Sequence, residues 1–187
     1  VAVESPLEIS LSIPNGDSEN VTVLMRTPGD DEKLTRGFLL TEGILRVDEI
    51  KKTQFLHNEN KINVKTFSKK LPDISELKRN FISNSSCGIC SKASIDEILK
   101  KIPKKKKSIE YLIDGLLVQK ICNDMSAEQK VFVKTGGVHA IGLFTEKGKI
   151  ICLEEDVGRH NAMDKAIGNA YFDKNLEDKI VGACLSG

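Results

Sequence analysis

Two thiols stand three positions apart in the segment SNSSCGICSK, at Cys87 and Cys90, among small polar neighbours. That spacing supports four kinds of chemistry. A structural zinc site needs four ligands, usually two such pairs or one pair with histidines at finger spacing. Here there is one close pair, and His57, His139 and His160 lie far from it along the chain. A redox dithiol normally follows a strand and opens a helix. This pair precedes the helical pattern SIDEILKKIP, but NFISNSS before it is not a clear strand. A plain structural role is the third reading. Sulfur handling is the fourth. A thiolate at a helix start is acidified by unpaired backbone N–H groups and the helix dipole, and Ser85, Ser86 and Gly88 leave the sulfur open to a donor and then an acceptor. Chemistry alone does not choose among the four.

A second constellation lies downstream. KTGGVHA sets Gly136 and Gly137 where a chain must turn or let another backbone come close, with His139 just beyond. EEDVGRHNAMDKAIG places Gly158, Arg159, His160 and Asn161 at the opening of a helix. Backbone N–H groups with a guanidinium beside them form an anion pocket. Glu155, Asp156, Asp164 and Lys165 add polar groups, and a capped helix with a surface salt-bridge network accounts for them equally well.

The elements that must position these groups can be read from periodicity. Leu7, Ile9, Leu11 and Ile13 alternate, so residues 7–13 form a half-buried strand. PNGDSEN is a turn and residues 21–26 a second strand, giving a hairpin. A helix then begins in TPGDDEKLTRGFLLTEGIL, with Asp30 as its cap, Asp31 and Glu32 in its first turn, and Leu34, Phe38, Leu39 and Ile44 or Leu45 on its apolar stripe. Residues 51–67 form a second hairpin turning at HNEN. DISELKRNFI and SIDEILKKIP read as short helices with capping-box spacing at Asp73/Glu76 and Ser94/Glu97. The four lysines 104–107 read as a solvated linker. SIEYLIDGLLVQKI is an amphipathic helix with Ile109, Leu112, Ile113, Leu116 and Leu117 on one face. From residue 131 the pattern reads strand, glycine turn, strand, hairpin at Glu146-Lys147-Gly148, strand, loop and helix, with KIVGACL a further strand. Three parts follow: 1–80 of mixed strands and helices, 81–107 carrying the cysteine loop, its helix and the basic linker, and 108–187 an α/β part.

Composition bounds the rest. The 187 residues are 40% hydrophobic, enough for a substantial core, and a formal charge of +1 gives no broad pull toward nucleic acid or anionic membrane. No apolar run approaches the roughly 20 residues that span a bilayer, and the amino-terminal VAVESPLEIS lacks a signal-peptide pattern. Five cysteines with a single close pair do not suggest a secreted disulfide scaffold, so a cytoplasmic protein with reduced thiols is expected. Cys122, Cys152 and Cys184 lie in apolar surroundings and read as small buried hydrophobes.

Four stretches, RTPGDDEKLTRGFLLTEGIL, SSCGIC, TGGVHAIGLF and EEDVGRHNAMDKAIG, together resemble the FdhD family of formate dehydrogenase accessory sulfurtransferases, in the family's order and across most of the chain. The resemblance implies an α/β (α+β) protein whose carboxy-terminal part is cytidine deaminase-like and whose smaller amino-terminal part is mixed, and it implies a homodimer. It also implies that persulfide sulfur is accepted from a cysteine desulfurase and delivered to a molybdenum or tungsten bis-pterin guanine dinucleotide, bound as substrate, for formate dehydrogenase, with no tightly held metal of the protein's own. By position Cys87 carries the persulfide and Cys90 is its partner in the loop. Thr135, Gly136, Gly137, His139, Gly158, Arg159, His160, Asn161 and Asp164 are the candidate cofactor-binding residues, with His139 and Asp164 orienting. A non-catalytic chaperone for cofactor or apo-enzyme is the alternative. Three departures stand out: Ser91 replaces a frequent glycine, Glu154 replaces a frequent arginine, and family members continue past CLSG, so the sequence is expected to break off within its last part. Zinc deaminase chemistry, which needs a glutamate two residues after a metal-binding histidine, is not expected, because Ala140 and Ile141 follow His139.

Overall fold

The computed structural model describes residues 1–74, 113–172, 176 and 179–186. The readings made for Cys87, Cys90, the two short helices with capping boxes and the lysine run lie outside these residues.

The two amino-terminal hairpins form as the alternation requires. Strands β1 (Ser5–Ser12) and β2 (Ser18–Arg26) pair antiparallel, as do β3 (Gln54–Asn58) and β4 (Lys61–Lys65), which turn at Glu59-Asn60. What the periodicity does not show is how the hairpins join. β1 and β4 pair parallel, from Glu8↔Lys61 to Ser12↔Lys65, giving the order β2-β1-β4-β3. One face of this sheet carries Leu7, Ile9, Leu11, Ile62 and Val64, all buried. Helix α1 (Asp31–Thr41) covers it with Leu34, Phe38 and Leu39. A single turn, α2 (Val47–Ile50), adds Ile50, and Ile44 and Leu45 complete the core.

Asp30 does not cap α1 with its side chain. It takes a left-handed conformation (φ 56°), and its carboxylate instead pairs with Lys33 at 2.8 Å. Asp31 and Glu32 do occupy the first turn, where the helix dipole favours negative charge.

The second sheet has the order β6-β5-β7. β5 (His139–Phe144) and β6 (Ile150–Asp156) form the expected hairpin, closed at Thr145–Lys149 with Gly148 at φ 70°. β7 (Gly182–Leu185) pairs antiparallel with β5. Helix α3 (Gly115–Glu128) starts later than the apolar pattern suggests. Asp114 caps it by accepting a hydrogen bond from Leu116 N, and Ile121 and Met125 are its buried residues. Ile113 and Leu116 are exposed, so the expected apolar face is rotated.

Residues 131–134 also depart from expectation. They are not a strand but part of a short helix, α4 (Lys130–Thr135). The reason is a cap from a distant strand: both carboxylate oxygens of Glu155 accept hydrogen bonds, from Val131 N and Phe132 N at 2.8 Å each. Gly136 ends the helix in a left-handed conformation (φ 65°), which a side chain would oppose.

Helix α5 (Arg159–Ala170) packs between α1 and the second sheet. Ala162, Ala166 and Ala170, four apart on one stripe, let it settle against β5 and β6. Its other side meets α1 so closely that a Cβ on Gly37 would stand 1.8 Å from the Asp164 carbonyl oxygen, and one on Gly168 would stand 1.9 Å from that of Lys33. Only glycine fits at either crossing point. Beside them, the Arg36 guanidinium lies over the rings of Phe55 and Phe172, 5.0 and 5.1 Å from their centroids.

Candidate functional site

β6 alternates cleanly, with Ile150, Cys152, Glu154 and Asp156 on its buried face. The stripe thus runs from apolar to acidic as it approaches α5. Buried carboxylates require partners, and the helices supply them. Asp156 has no exposure. Its Oδ2 pairs with Lys165 Nζ at 2.8 Å and accepts from Thr27 N at 3.1 Å. Its Oδ1 accepts from Gly158 N at 2.9 Å and Asn161 Nδ2 at 3.0 Å. Lys165 also donates to the carbonyl of Thr27, and Thr27 Oγ1 accepts from Val157 N. Asn161 Nδ2 reaches the Met25 carbonyl at 2.7 Å. The segment joining β2 to α1 is thereby fastened to the segment joining β6 to α5. The first segment is itself closed by a two-pronged pair between buried Arg26 and Asp31, at 2.8 and 2.9 Å.

Glu154 is buried as well. Lys33 Nζ lies 3.0 Å from its Oε1 and Asn169 Nδ2 2.9 Å. Burial alone would pull the Lys33 ammonium down. The Asp30 and Glu154 carboxylates outweigh that and hold it above the ordinary lysine value. The buried Glu154 carboxylate is therefore paired within the fold. Cys152, beside it, is a buried thiol pushed up to about 12 by desolvation and by the Glu154 charge, which suits an inert packing role.

The structure brings most of the predicted site residues to one end of the second sheet. His139 opens β5 directly across from Asp156, the last residue of β6. Thr135, Gly136 and Gly137 thus precede β5 at the same end where Gly158, Arg159, His160 and Asn161 follow β6. Thr135 Oγ1 donates to the Val131 carbonyl and accepts from Gly137 N, which holds the turn. Gly158 occupies the cap position of α5 and has no side chain to satisfy the first turn. Arg159 and His160 are exposed there. An uncapped helix start with an exposed guanidinium and imidazole attracts anions.

Asn161 shares that end but its side chain is not free, and Asp164 lies elsewhere. The Asn161 amide is taken up by Met25 and Asp156. Asp164 is buried one turn further along, where Thr41 Oγ1 donates to it at 2.9 Å across the α1–α5 contact. Burial pushes its carboxyl up to about 7, with Glu42 adding to the rise and the Thr41 bond opposing it.

Sequence reasoning missed Thr27, Lys33 and Arg26 as the partners that hold this end together. A signal for them existed: two acids in phase with the apolar residues of one strand predict buried charge, and hence buried cations nearby. It also misplaced two cysteines. Cys122 is exposed and Cys184 only partly covered.

Two sheets clasped by a glycine-lined helix pair, with the Thr135–Gly137 turn and the uncapped start of α5 at one end of the second sheet, define an α+β fold. A crystal structure described as a formate dehydrogenase accessory protein from Desulfotalea psychrophila matches this fold with a TM-score of 0.65, over 100% of this chain and 65% of that one, at 21% identity. The FdhD/NarQ family model matches residues 2–186, and the chain belongs to that family. A relative named sulfur carrier protein FdhD from Picrophilus torridus is 40% identical over 185 residues, covering 97% of this chain and 68% of the relative. One of the same name from Streptomyces avermitilis is 38% identical over 194 residues, covering 94% and 64%. The chain therefore spans about two thirds of the length of these relatives.

Proposed function

We propose that this protein is a sulfur carrier in formate dehydrogenase maturation, a sulfurtransferase that works through a persulfide on Cys87. The Cys87 thiolate attacks the terminal sulfur of a persulfide on a cysteine desulfurase. The new bond gives Cys87–S–SH, and the donor leaves as its thiolate, with no net change in oxidation state. Transfer to the metal of a molybdenum or tungsten bis-pterin guanine dinucleotide returns the Cys87 thiolate. The two electrons needed to make sulfide come from the metal centre or a thiol reductant. The protein acts in the cytoplasm as a homodimer.

Family membership and the relatives' names support the carrier role. The observation that carries the cofactor side is the uncapped start of α5, with exposed Arg159 and His160 beside the Gly136-Gly137 turn. Pyrophosphate groups of a dinucleotide suit that end: backbone N–H groups, the Arg159 guanidinium and the His160 imidazole face solvent there. Asp156 and Lys165 hold the frame and do not touch the substrate.

Incubation with a cysteine desulfurase and cysteine, followed by mass spectrometry, tests the reading. The expected product carries one added sulfur atom on Cys87, lost on reduction, and Cys87→Ala abolishes maturation of formate dehydrogenase. A fully active Cys87→Ala variant would overturn the assignment. If the protein bound cofactor normally but never acquired sulfur, the non-catalytic chaperone would be the correct reading.

A further inference from the structure

Cys122 on α3 and Cys184 on β7 are 62 positions apart in the chain, yet their Sγ atoms lie 3.8 Å from one another. The approach is built into the packing. α3 crosses the sheet over Gly142, where a Cβ would stand 3.3 Å from Met125 Sδ. Cys122 lies three residues before Met125, on the same side of the helix. Cys184 is the register partner of Gly142 on the neighbouring strand. The glycine that seats Met125 therefore also brings the two thiols together. Cys122 is exposed. Partial burial and the hydrogen bond with Cys122 push the Cys184 thiol above its ordinary value, so Cys122 is the sulfur that meets reagents from solvent. Among the described residues β7 pairs only with β5, which leaves it able to shift toward the helix.

We propose that Cys122 and Cys184 form an oxidant-responsive dithiol, a modification site that reversibly staples α3 to β7. The oxidant is a peroxide. The Cys122 thiolate attacks the O–O bond, becomes a sulfenic acid and releases water. The Cys184 thiolate then attacks that sulfur, and the hydroxyl leaves as a second water. Two thiols and one hydrogen peroxide thus give one disulfide and two waters, and a dithiol reductant reverses the change. The sulfurs must close from 3.8 Å to about 2.05 Å, a movement within reach of side-chain rotation and a small strand shift. Cys152 does not compete, because it is buried and its thiol is held near 12. The proposal is independent of the persulfide chemistry on Cys87.

The test uses the chain with Cys87→Ser and Cys90→Ser, treated with hydrogen peroxide, alkylated and mapped by peptide mass spectrometry. One intramolecular cross-link between the Cys122 and Cys184 peptides is expected, lighter by two hydrogens and reversed by dithiothreitol. It should form at least about tenfold faster in the native protein than in urea, because the fold holds the sulfurs together. Cys122→Ser and Cys184→Ser should each abolish it while circular dichroism stays unchanged. Separate sulfinic acids on the two thiols, a link between two chains, or a cross-link that forms only after unfolding would each overturn the proposal.

Discussion

Asp164 shows how far one residue's chemistry depends on its neighbours. Its carboxyl is pushed up to about 7 by burial against α1, whereas an unfolded aspartate titrates near 3.9. Below about pH 4 both states hold the proton and the group has no effect on stability. Between about pH 4 and 7 the folded protein keeps a proton that the unfolded chain has released, so stability falls as pH rises. Above about pH 7 the loss is complete, on the order of 2–4 kcal/mol. Asp164→Asn keeps an acceptor for Thr41 but removes the charge. Urea titrations at pH 5 and pH 8 should show the parent protein weaker at pH 8 and the variant nearly level. Asp156 behaves differently, since its charge is matched by Lys165 at 2.8 Å. Asp156→Ala strands a buried ammonium and should cost roughly 3–5 kcal/mol in urea denaturation. Replacing both residues with apolar ones should restore part of that loss.

Among the elements, α1 and α5 depend on what is missing from their surfaces. A Cβ at Gly37 or Gly168 would fall inside backbone atoms of the facing helix, at 1.8 and 1.9 Å. Backbone cannot rotate away, so the helices must separate. Gly37→Ala and Gly168→Ala should each lower stability by about 3 kcal/mol or more, read as a fall in Tm. Gly115→Ala is the control. Nothing lies within 4 Å of a Cβ there, at the first residue of α3, so the change should be neutral or stabilising by up to about 1 kcal/mol. The short helix α4 depends on Glu155, which accepts from two of its first N–H groups. Glu155→Ala should cost about 1–2 kcal/mol. It should also speed hydrogen exchange at Val131 and Phe132 while leaving β1 to β4 unchanged.

Over the whole molecule, the α1–α5 contact and the fastening of Thr27 to Asp156 make the two sheets interdependent. The RTPGDD and EEDVGRHN stretches are far apart in sequence but form one joint. Their side chains mostly hold each other, and what they present to solvent is the start of α5. Asp156→Ala should therefore lower hydrogen-exchange protection in both sheets together. Loss confined to the second sheet would mean that the two unfold independently.

Much of this was legible in the sequence because it is local. Period-two alternation placed β1, short runs bounded by turn residues placed β2 to β6, and the order Gly158-Arg159-His160-Asn161 marked a helix start. The apolar stripe of α1 was equally plain, since its buried face repeats every turn. Parallel pairing of β1 with β4 was not legible, because alternation says which face is buried and not which strand lies alongside. The helix at 130–135 was not legible either: its residues suit a strand, and the decision came from a carboxylate on β6. The meeting of Cys122 with Cys184 likewise has no trace in spacing. Each of these outcomes was set by groups brought from elsewhere in the chain to satisfy a backbone donor or fill a space, and only the folded arrangement supplies such partners.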